Sequence, residues 1–146
     1  RCGVCIDDKG EVDISETMAL RDQMRQQRLS DAVGLQGERA TVTETADEVP
    51  VSEGLVVSTS SDGACYVCRK CRVRIQDAEK NFKTGCLKKE TPVEEVGLSP
   101  IDPELFIDDK IVYKEYICPG CGLILQGDFG KSESEDIWDI RLFLDQ

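Results

Sequence analysis

The sequence contains no histidine, and this absence excludes several kinds of chemistry. Without histidine there can be no Ser-His or Cys-His catalytic pair. Mixed cysteine–histidine zinc sites and the histidine-containing catalytic zinc sites are excluded for the same reason. Any site for a soft metal in this chain must therefore be built from thiolates.

Large apolar side chains are also scarce, with one Trp, three Tyr and four Phe in 146 residues. No apolar run approaches the ~20 residues that a membrane-spanning helix needs, and the opening residues 1–5 do not resemble the apolar region of a secretory signal. We therefore expect a cytoplasmic protein with no membrane partner. A core with so few large side chains should be thin, which favours cross-linking by metal ions or covalent bonds.

Positive charge is in short supply, since 18 Lys and Arg face 29 Asp and Glu for a net charge of -11. A polyanion repels phosphates, so we expect no nucleic-acid partner. The sequence has no Gly-rich phosphate loop of the G-x-x-x-x-G-K-[ST] type. Acidic pairs such as Asp7-Asp8, Asp108-Asp109 and Glu135-Asp136 are typical of turns and solvated surface in so acidic a chain. The sequence thus predicts neither catalytic nor cofactor-binding residues.

Cysteine, in contrast, is abundant, and four of the eight cysteines lie in two similar motifs. These are Cys68-Arg-Lys-Cys71 and Cys118-Pro-Gly-Cys121-Gly122. Two-residue spacing lets both thiolates of a tight turn point at one ion, and two such turns complete the tetrahedral four-thiolate site that is usual for structural zinc. We therefore predict Cys68, Cys71, Cys118 and Cys121 as the metal ligands. The 46 residues between Cys71 and Cys118 must then contain inserted structure.

Other interpretations of these motifs remain open. In a secreted protein they would be disulfides, and in a βαβ context one of them would be a redox motif. Iron could replace zinc, as in a rubredoxin-like electron-transfer protein. A zinc-ribbon adaptor of transcription or RNA machinery is a further alternative, which the net charge disfavours.

The remaining cysteines allow a second site. Cys2, Cys5, Cys65 and Cys86 could form another four-thiolate centre if the N-terminus returned to the domain. Cys65 could also join Cys68 in the first site in place of Cys71, because the spacing is the same. Cys86 could instead be a small buried hydrophobe.

A group of basic residues lies close to the predicted ligands in sequence. A zinc ion with four thiolates carries a net charge of about -2, which nearby cations would offset. The residues predicted to do so are Arg69, Lys70, Arg72, Arg74 and Lys114.

The predicted fold is α+β and β-rich, with two parts. Residues 1–64 form an N-terminal helical or extended arm and linker, and residues 65–146 form a small zinc-ribbon-like domain. A helix is predicted over Glu16–Leu29, with Asp13 and Glu16 at capping-box spacing. Its apolar stripe is poor, so it should pack on a partner or lie on the surface.

Several short apolar runs predict strands. They are Leu55–Ser58, Val73–Ile75, Leu105–Ile107, Ile111–Cys118, Leu123–Leu125 and Ile137–Leu144. Asp108-Asp109 would form a hairpin turn between the third and fourth runs. The last run is nearly continuous in apolar residues, so both of its faces should be covered, one by this domain and the other by a partner or by the domain again. Its apolar residues are Ile137, Trp138, Ile140, Leu142, Phe143 and Leu144.

Three stretches of sequence carry a family resemblance. The segment Asp102–Asp108, the segment Tyr113–Gly122 with its Cys-Pro-Gly-Cys-Gly, and Cys68–Cys71 followed by Asn81-Phe82-Lys83 together resemble the small, gamma-type subunit of acetone and acetophenone carboxylases. The resemblance covers roughly residues 65–146. Arg72 stands where a glycine is commoner and Phe82 where a Trp is expected, and these departures, with the extra cysteines, favour the acetophenone type.

The resemblance implies a biotin-independent, ATP-dependent carboxylase that adds bicarbonate to a ketone. Large hydantoinase- and oxoprolinase-like subunits would handle ATP and bicarbonate and perform this ligase chemistry. The small subunit would bind zinc through Cys68, Cys71, Cys118 and Cys121 and clamp a hetero-oligomer. No catalytic residue carries over to this chain.

Overall fold

The computed structural model describes residues 3–34, 39–45, 47–61, 63–97 and 105–141. Within these described residues, two α-helices and one 3-10 helix accompany nine strands, in agreement with the predicted α+β, β-rich class. The helices are α1 (Ile14–Asp31), α2 (Val93–Val96) and the 3-10 turn Phe82–Gly85. The strands are β1 (Cys5–Ile6), β2 (Val12–Asp13), β3 (Val49–Pro50), β4 (Leu55–Ser60), β5 (Gly63–Cys68), β6 (Arg74–Asp77), β7 (Leu87–Pro92), β8 (Ile111–Ile117) and β9 (Ile124–Lys131).

The chain starts with an arm made of the β1–β2 hairpin and helix α1. The helix begins at Asp13, whose carboxylate accepts the backbone N–H of Glu16 at 2.9 Å. This bond satisfies one of the unpaired donors at the helix start. The predicted helix is confirmed and extends two residues further at each end.

A four-stranded antiparallel sheet follows, in the order β3-β4-β5-β6. Alternate residues of a strand face opposite sides. Leu55 of β4 and Tyr66 of β5 point into the main core, whereas Val56 and Val67 form a smaller core on the other face. The predicted strand at Leu55–Ser58 is confirmed as part of β4. The β4–β5 hairpin spans residue 64, and a domain boundary at that position stays a prediction.

A three-stranded antiparallel sheet, in the order β7-β8-β9, carries the second cysteine motif at the end of β8. The predicted strand Ile111–Cys118 is confirmed within one residue. The predicted run Leu123–Leu125 corresponds to the start of the longer β9. Strand β6, the 3-10 turn, β7 and α2 lie between the two motifs, so the expected inserted structure is present.

Two predicted strands are wrong. Leu105–Ile107 is exposed and forms no strand, with Phe106 78 % accessible, so Asp108-Asp109 closes no hairpin. The described part of the last run, residues 137–141, is also not a strand, and residues 142–146 lie outside the described chain. Ile137 is 68 % exposed there, so its two faces are not both covered, whereas Ile140 packs against the main core.

Residues 134–140 instead form a strap across one face of the second sheet, held by polar contacts. The buried Lys83 ammonium donates to the carbonyl of Ile137 at 2.9 Å and lies 2.9 Å from Asp139. Lys114, also buried, donates to the carbonyl of Ser134 at 2.9 Å. A buried ammonium must be paired and hydrogen-bonded, and the strap provides these partners.

Candidate metal centre

The first cysteine motif forms a tight turn at the end of β5. The N–H of Cys68 donates to the carbonyl of Val73 at 3.0 Å. The N–H of Arg72 donates back to the carbonyl of Cys68 at 2.9 Å. We call residues 68–73 knuckle 1.

The second motif repeats this turn at the end of β8. The N–H of Cys118 donates to the carbonyl of Leu123 at 2.8 Å, and the N–H of Gly122 donates to the carbonyl of Cys118 at 3.0 Å. Arg72 and Gly122 hold equivalent positions, with φ values of 64° and 67°. We call residues 118–123 knuckle 2. Two turns with the same hydrogen bonds thus present two thiols each.

The four thiols converge on one point. All four Sγ atoms lie within 4.8 Å of one another, with Cys68 and Cys121 3.8 Å apart and Cys71 and Cys118 3.5 Å apart. A tetrahedral zinc ion with Zn–S bonds of about 2.3 Å has its sulfurs about 3.8 Å apart. The predicted ligands therefore come together in a group that could hold one metal ion and is compatible with zinc.

Burial and mutual hydrogen bonding make these thiols unequal as acids. Cys68 and Cys118 are fully buried, whereas Cys71 and Cys121 are half-buried. Hydrogen bonds from Cys118 and Cys121 lower the pKa of Cys68. The reverse holds for Cys118, whose pKa is raised by its contacts with Cys121 and Cys68 and by burial. One thiolate thus opposes the ionisation of the others, a conflict that a divalent cation would relieve.

The two knuckles interlock at Gly120. A Cβ at this position would lie 2.7 Å from the Cγ2 of Val73 and 3.1 Å from the Sγ of Cys71. Real side chains do not tolerate the first distance, so only glycine lets knuckle 2 approach knuckle 1 this closely.

Arg72 binds two residues of the segment that precedes β3, Val42 and Glu48, and so holds this segment against knuckle 1. Its Nε donates to the carbonyl of Val42 at 3.1 Å, and its guanidinium forms two bonds with the Glu48 carboxylate, one of them at 3.0 Å. A non-glycine residue at positive φ costs roughly 1–2 kcal/mol. Charge-assisted bonds of this kind contribute a comparable or larger stabilisation.

The predicted group of basic residues is only partly available to the sulfurs. Arg72 is paired with Glu48, and Arg74 lies 2.6 Å from Asp77. The ammonium of Lys114 binds the strap and does not belong to the knuckles, which corrects its predicted role. Arg69 and Lys70 are exposed within knuckle 1.

Cys65 cannot take the place of Cys71 in this centre. It lies three residues before Cys68 on the same strand, so it faces the opposite side of the sheet, in the small core with Val67. Burial is the main reason that its pKa is raised. The alternative in which Cys65 replaces Cys71 is therefore wrong, because strand alternation separates the two thiols of Cys65-x-x-Cys68.

The described residues do not form the second site. Cys86 lies in the main core, where burial raises its pKa to about 12 and its thiol contacts the carbonyl of Phe82, which fits a small buried hydrophobe. Cys5 belongs to the arm hairpin and Cys65 to the small core. Among the described residues, only the four knuckle cysteines gather closely enough to hold an ion. Cys2, the remaining predicted ligand, lies outside them.

Helix α1 contacts knuckle 2, a contact that the sequence did not predict. A Cβ at Gly122 would lie 2.4 Å from the carbonyl oxygen of Arg25, so the helix backbone approaches this glycine directly. The guanidinium of Arg28 donates to the carbonyl of Gly122 at 3.5 Å. Leu29 and Ala32 continue the contact by packing with Leu87, Ile117 and Ile124 of the second sheet. The one signal for this contact in the sequence was the glycine itself.

A family model described as the acetone carboxylase gamma subunit matches residues 43–144. The chain belongs to this family. The match includes all four knuckle cysteines, confirms the resemblance inferred for residues 65–146 and extends it upstream through β3 and β4. The hairpin and helix of the arm precede the part shared with the gamma-subunit family. Comparison with curated proteins found no match.

Proposed function

We propose that this chain is the non-catalytic, structural zinc-binding subunit of an ATP-dependent, biotin-independent ketone carboxylase of the acetone or acetophenone type. The observation that carries the proposal is the convergence of four thiols within 4.8 Å in a chain of the gamma-subunit family. Cys68, Cys71, Cys118 and Cys121 would be the ligands of one zinc ion.

The position of the cysteines supports a structural role for the metal. Knuckle 1 ends a strand of the four-stranded sheet, and knuckle 2 ends a strand of the three-stranded sheet. An ion shared by the knuckles would cross-link the two sheets and contribute binding free energy to folding. A closed four-thiolate shell leaves no open position for water or substrate, so the site is not suited to hydrolysis or Lewis-acid catalysis.

The catalytic steps would then belong to partner subunits. Membership of the family implies a multi-subunit acetone carboxylase complex. We propose that the partners are large hydantoinase- and oxoprolinase-like subunits that bind ATP, bicarbonate and the ketone. We further propose a cytoplasmic location. No helix among the described residues is long and apolar enough to cross a membrane.

Iron is the main alternative for the metal, because tetrahedral four-sulfur sites hold either zinc or iron. A rubredoxin-like chain would be coloured when oxidised and would act without carboxylase partners. A nucleic-acid-binding zinc ribbon is disfavoured by the net charge of -11.

The proposal is tested by substituting one ligand in the assembled enzyme. Co-expressed with the larger subunits, Cys118→Ser should lose zinc, unfold and fail to assemble, with loss of carboxylation. Cys5→Ser, which changes a cysteine outside the cluster, should assemble and carboxylate as the unchanged chain does. If Cys118→Ser assembled and carboxylated normally, the structural role of the metal would be wrong.

A further inference from the structure

The arm presents an apolar outer surface while its inner side is anchored. Ile6 and Val12 are cross-strand partners in the β1–β2 hairpin and are 66 % and 56 % exposed. Ile14 and Met18 lie one turn apart at the start of α1 and are 72 % and 61 % exposed. Single exposed apolar residues are ordinary, but two pairs of neighbouring apolar residues on elements consecutive in the chain are typical of a contact surface.

The hairpin and the helix start form one piece. The N–H of Cys5 donates to the hydroxyl of Thr17 at 2.9 Å, and Thr17 is buried. Farther along the helix, the close approach of Arg25 to Gly122 fixes α1 on knuckle 2. These contacts fix the positions of the two apolar pairs relative to knuckle 2.

The charge around these residues indicates which partner would fit. Residues 6–18 contain five carboxylates and one basic residue, Lys9. Asp7, Asp8, Glu11 and Glu16 are exposed beside the apolar pairs. A second copy of the chain would bring two acidic rims together, which opposes association. A surface with an apolar groove rimmed by Lys and Arg complements both the apolar pairs and the charge.

We infer that residues 6–18 are a docking surface for an apolar, basic-rimmed groove on another subunit of the carboxylase. The identity of that subunit rests on the proposed function. The arm precedes the stretch matched by the gamma-subunit family, residues 43–144, so this contact is additional to whatever the shared part provides. Its apolar side chains would supply most of the affinity, and the carboxylates would steer the approach of the two chains.

The test compares two double variants of the whole chain. Ile14→Glu/Met18→Glu places charge in the apolar surface and should raise the Kd for the purified larger subunits about tenfold or more. Ala19→Glu/Gln26→Glu adds the same charge at other exposed positions of α1 and should change the Kd by about twofold or less. Both variants should keep the zinc content and circular dichroism of the unchanged chain, because neither pair belongs to the knuckles. Hydrogen exchange of residues 6–18 should slow in the complex.

Three results would count against the inference. Equal Kd values for the Ile14→Glu/Met18→Glu variant and the unchanged chain would overturn it and leave the proposed function intact. Sedimentation showing a dimer of the isolated chain that this variant abolishes would assign the surface to a second copy. If the unchanged chain bound none of the larger subunits, the proposed function would fail, and the identified partner would fail with it.

Discussion

At the scale of single residues, the two knuckles use different side chains for the same backbone geometry. Arg72 and Gly122 both have φ near 65° and both close a turn around two cysteines. Gly122 has no Cβ because the carbonyl of Arg25 occupies that space. Arg72 accepts the backbone strain because its guanidinium bonds Glu48 and the carbonyl of Val42. The choice of residue is therefore set by what each knuckle packs against.

Gly122→Ala should be strongly destabilising. The new Cβ would face a left-handed backbone penalty of roughly 1–2 kcal/mol and would also displace α1, so we expect a loss of about 3 kcal/mol or more in the free energy of unfolding. Urea denaturation measures this quantity. Gly10→Ala is the matched control, since Gly10 has φ 83° and a methyl group added there would meet no heavy atom within 4 Å, and it should show the backbone penalty alone. Equal losses in the two variants would show that α1 does not rest on knuckle 2.

The pKa of Glu48 should depend on Arg72. The hydrogen bond from Arg72 is the largest cause that lowers this pKa below the ordinary value of 4.5. A lowered carboxylate pKa contributes stability above the unfolded-state pKa, and that contribution is lost as the pH falls through the folded-state pKa. Arg72→Gln should raise the pKa of Glu48 towards its ordinary value and remove this contribution.

A carboxyl-carbon NMR titration should be used for this measurement, because acid also protonates the thiolates of a metal site and so lowers stability by a second route. Arg74→Gln, which removes one of the two cations paired with Asp77, is the control and should leave the Glu48 titration unchanged. A Glu48 pKa that did not respond to Arg72→Gln would contradict the pairing of these two side chains.

The four ligands could be predicted from sequence because two-residue spacing is a local property of a turn. The contacts of Arg72 with Val42 and Glu48 could not be predicted, because these residues are distant from Arg72 in the sequence. The exclusion of Cys65 from the centre could not be predicted from spacing, because Cys65 and Cys71 are both three residues from Cys68. It became evident only when the structure showed Cys65 within β5, facing the other side of the sheet.

At the scale of elements, one strand of the second sheet is polar and could not be recognised from an apolar pattern in the sequence. Strand β7, Leu87–Pro92, has the sequence Leu-Lys-Lys-Glu-Thr-Pro and shows no apolar alternation, so the sequence did not predict it. Lys88 of this strand lies 3.3 Å from Asp136 of the strap, and the hydroxyl of Tyr116 donates to the same carboxylate at 2.8 Å. Ion pairs and hydrogen bonds therefore hold the strap on this face of the sheet, beside the apolar contact of Ile140 with the main core. Because side chains of the sheet and of the 3-10 turn bond to it, the strap is held without the backbone pairing of a strand.

Lys83→Met should release the strap. The substitution keeps an apolar stem of similar length but leaves Asp128 and Asp139 without their buried cation. Removing one partner of a buried pair costs about 3–5 kcal/mol, and because both carboxylates are partly exposed we expect about 2–3 kcal/mol. Hydrogen exchange of residues 134–140 should accelerate, and urea denaturation gives the free energy.

Lys80→Met is the control for the strap. Lys80 is an exposed lysine that pairs with Asp77 three residues away, and its loss should change stability by about 0.5 kcal/mol or less. Unchanged exchange in the strap of the Lys83→Met variant would mean that other contacts hold it.

At the scale of the whole molecule, the metal centre lies where three parts of the chain meet. Knuckle 1 belongs to the four-stranded sheet and knuckle 2 to the three-stranded sheet, while α1 rests on knuckle 2. The β-rich class, the capped helix and the inserted structure between the motifs followed from local patterns. The pairing of strands into two sheets did not, since the order of strands depends on contacts between distant segments. The exposed run Leu105–Ile107 was mistaken for a strand because an apolar run by itself does not show whether it is buried by its own chain.

The most direct test of the account is the metal content of the whole purified chain, measured by elemental mass spectrometry together with intact mass under native conditions. We predict one zinc ion per chain, retained through gel filtration and absent from the Cys68→Ser/Cys118→Ser variant. Cys5→Ser should retain the full equivalent. A chain that contained no bound metal, or that contained iron with visible thiolate absorption, would contradict a structural zinc centre at these four cysteines.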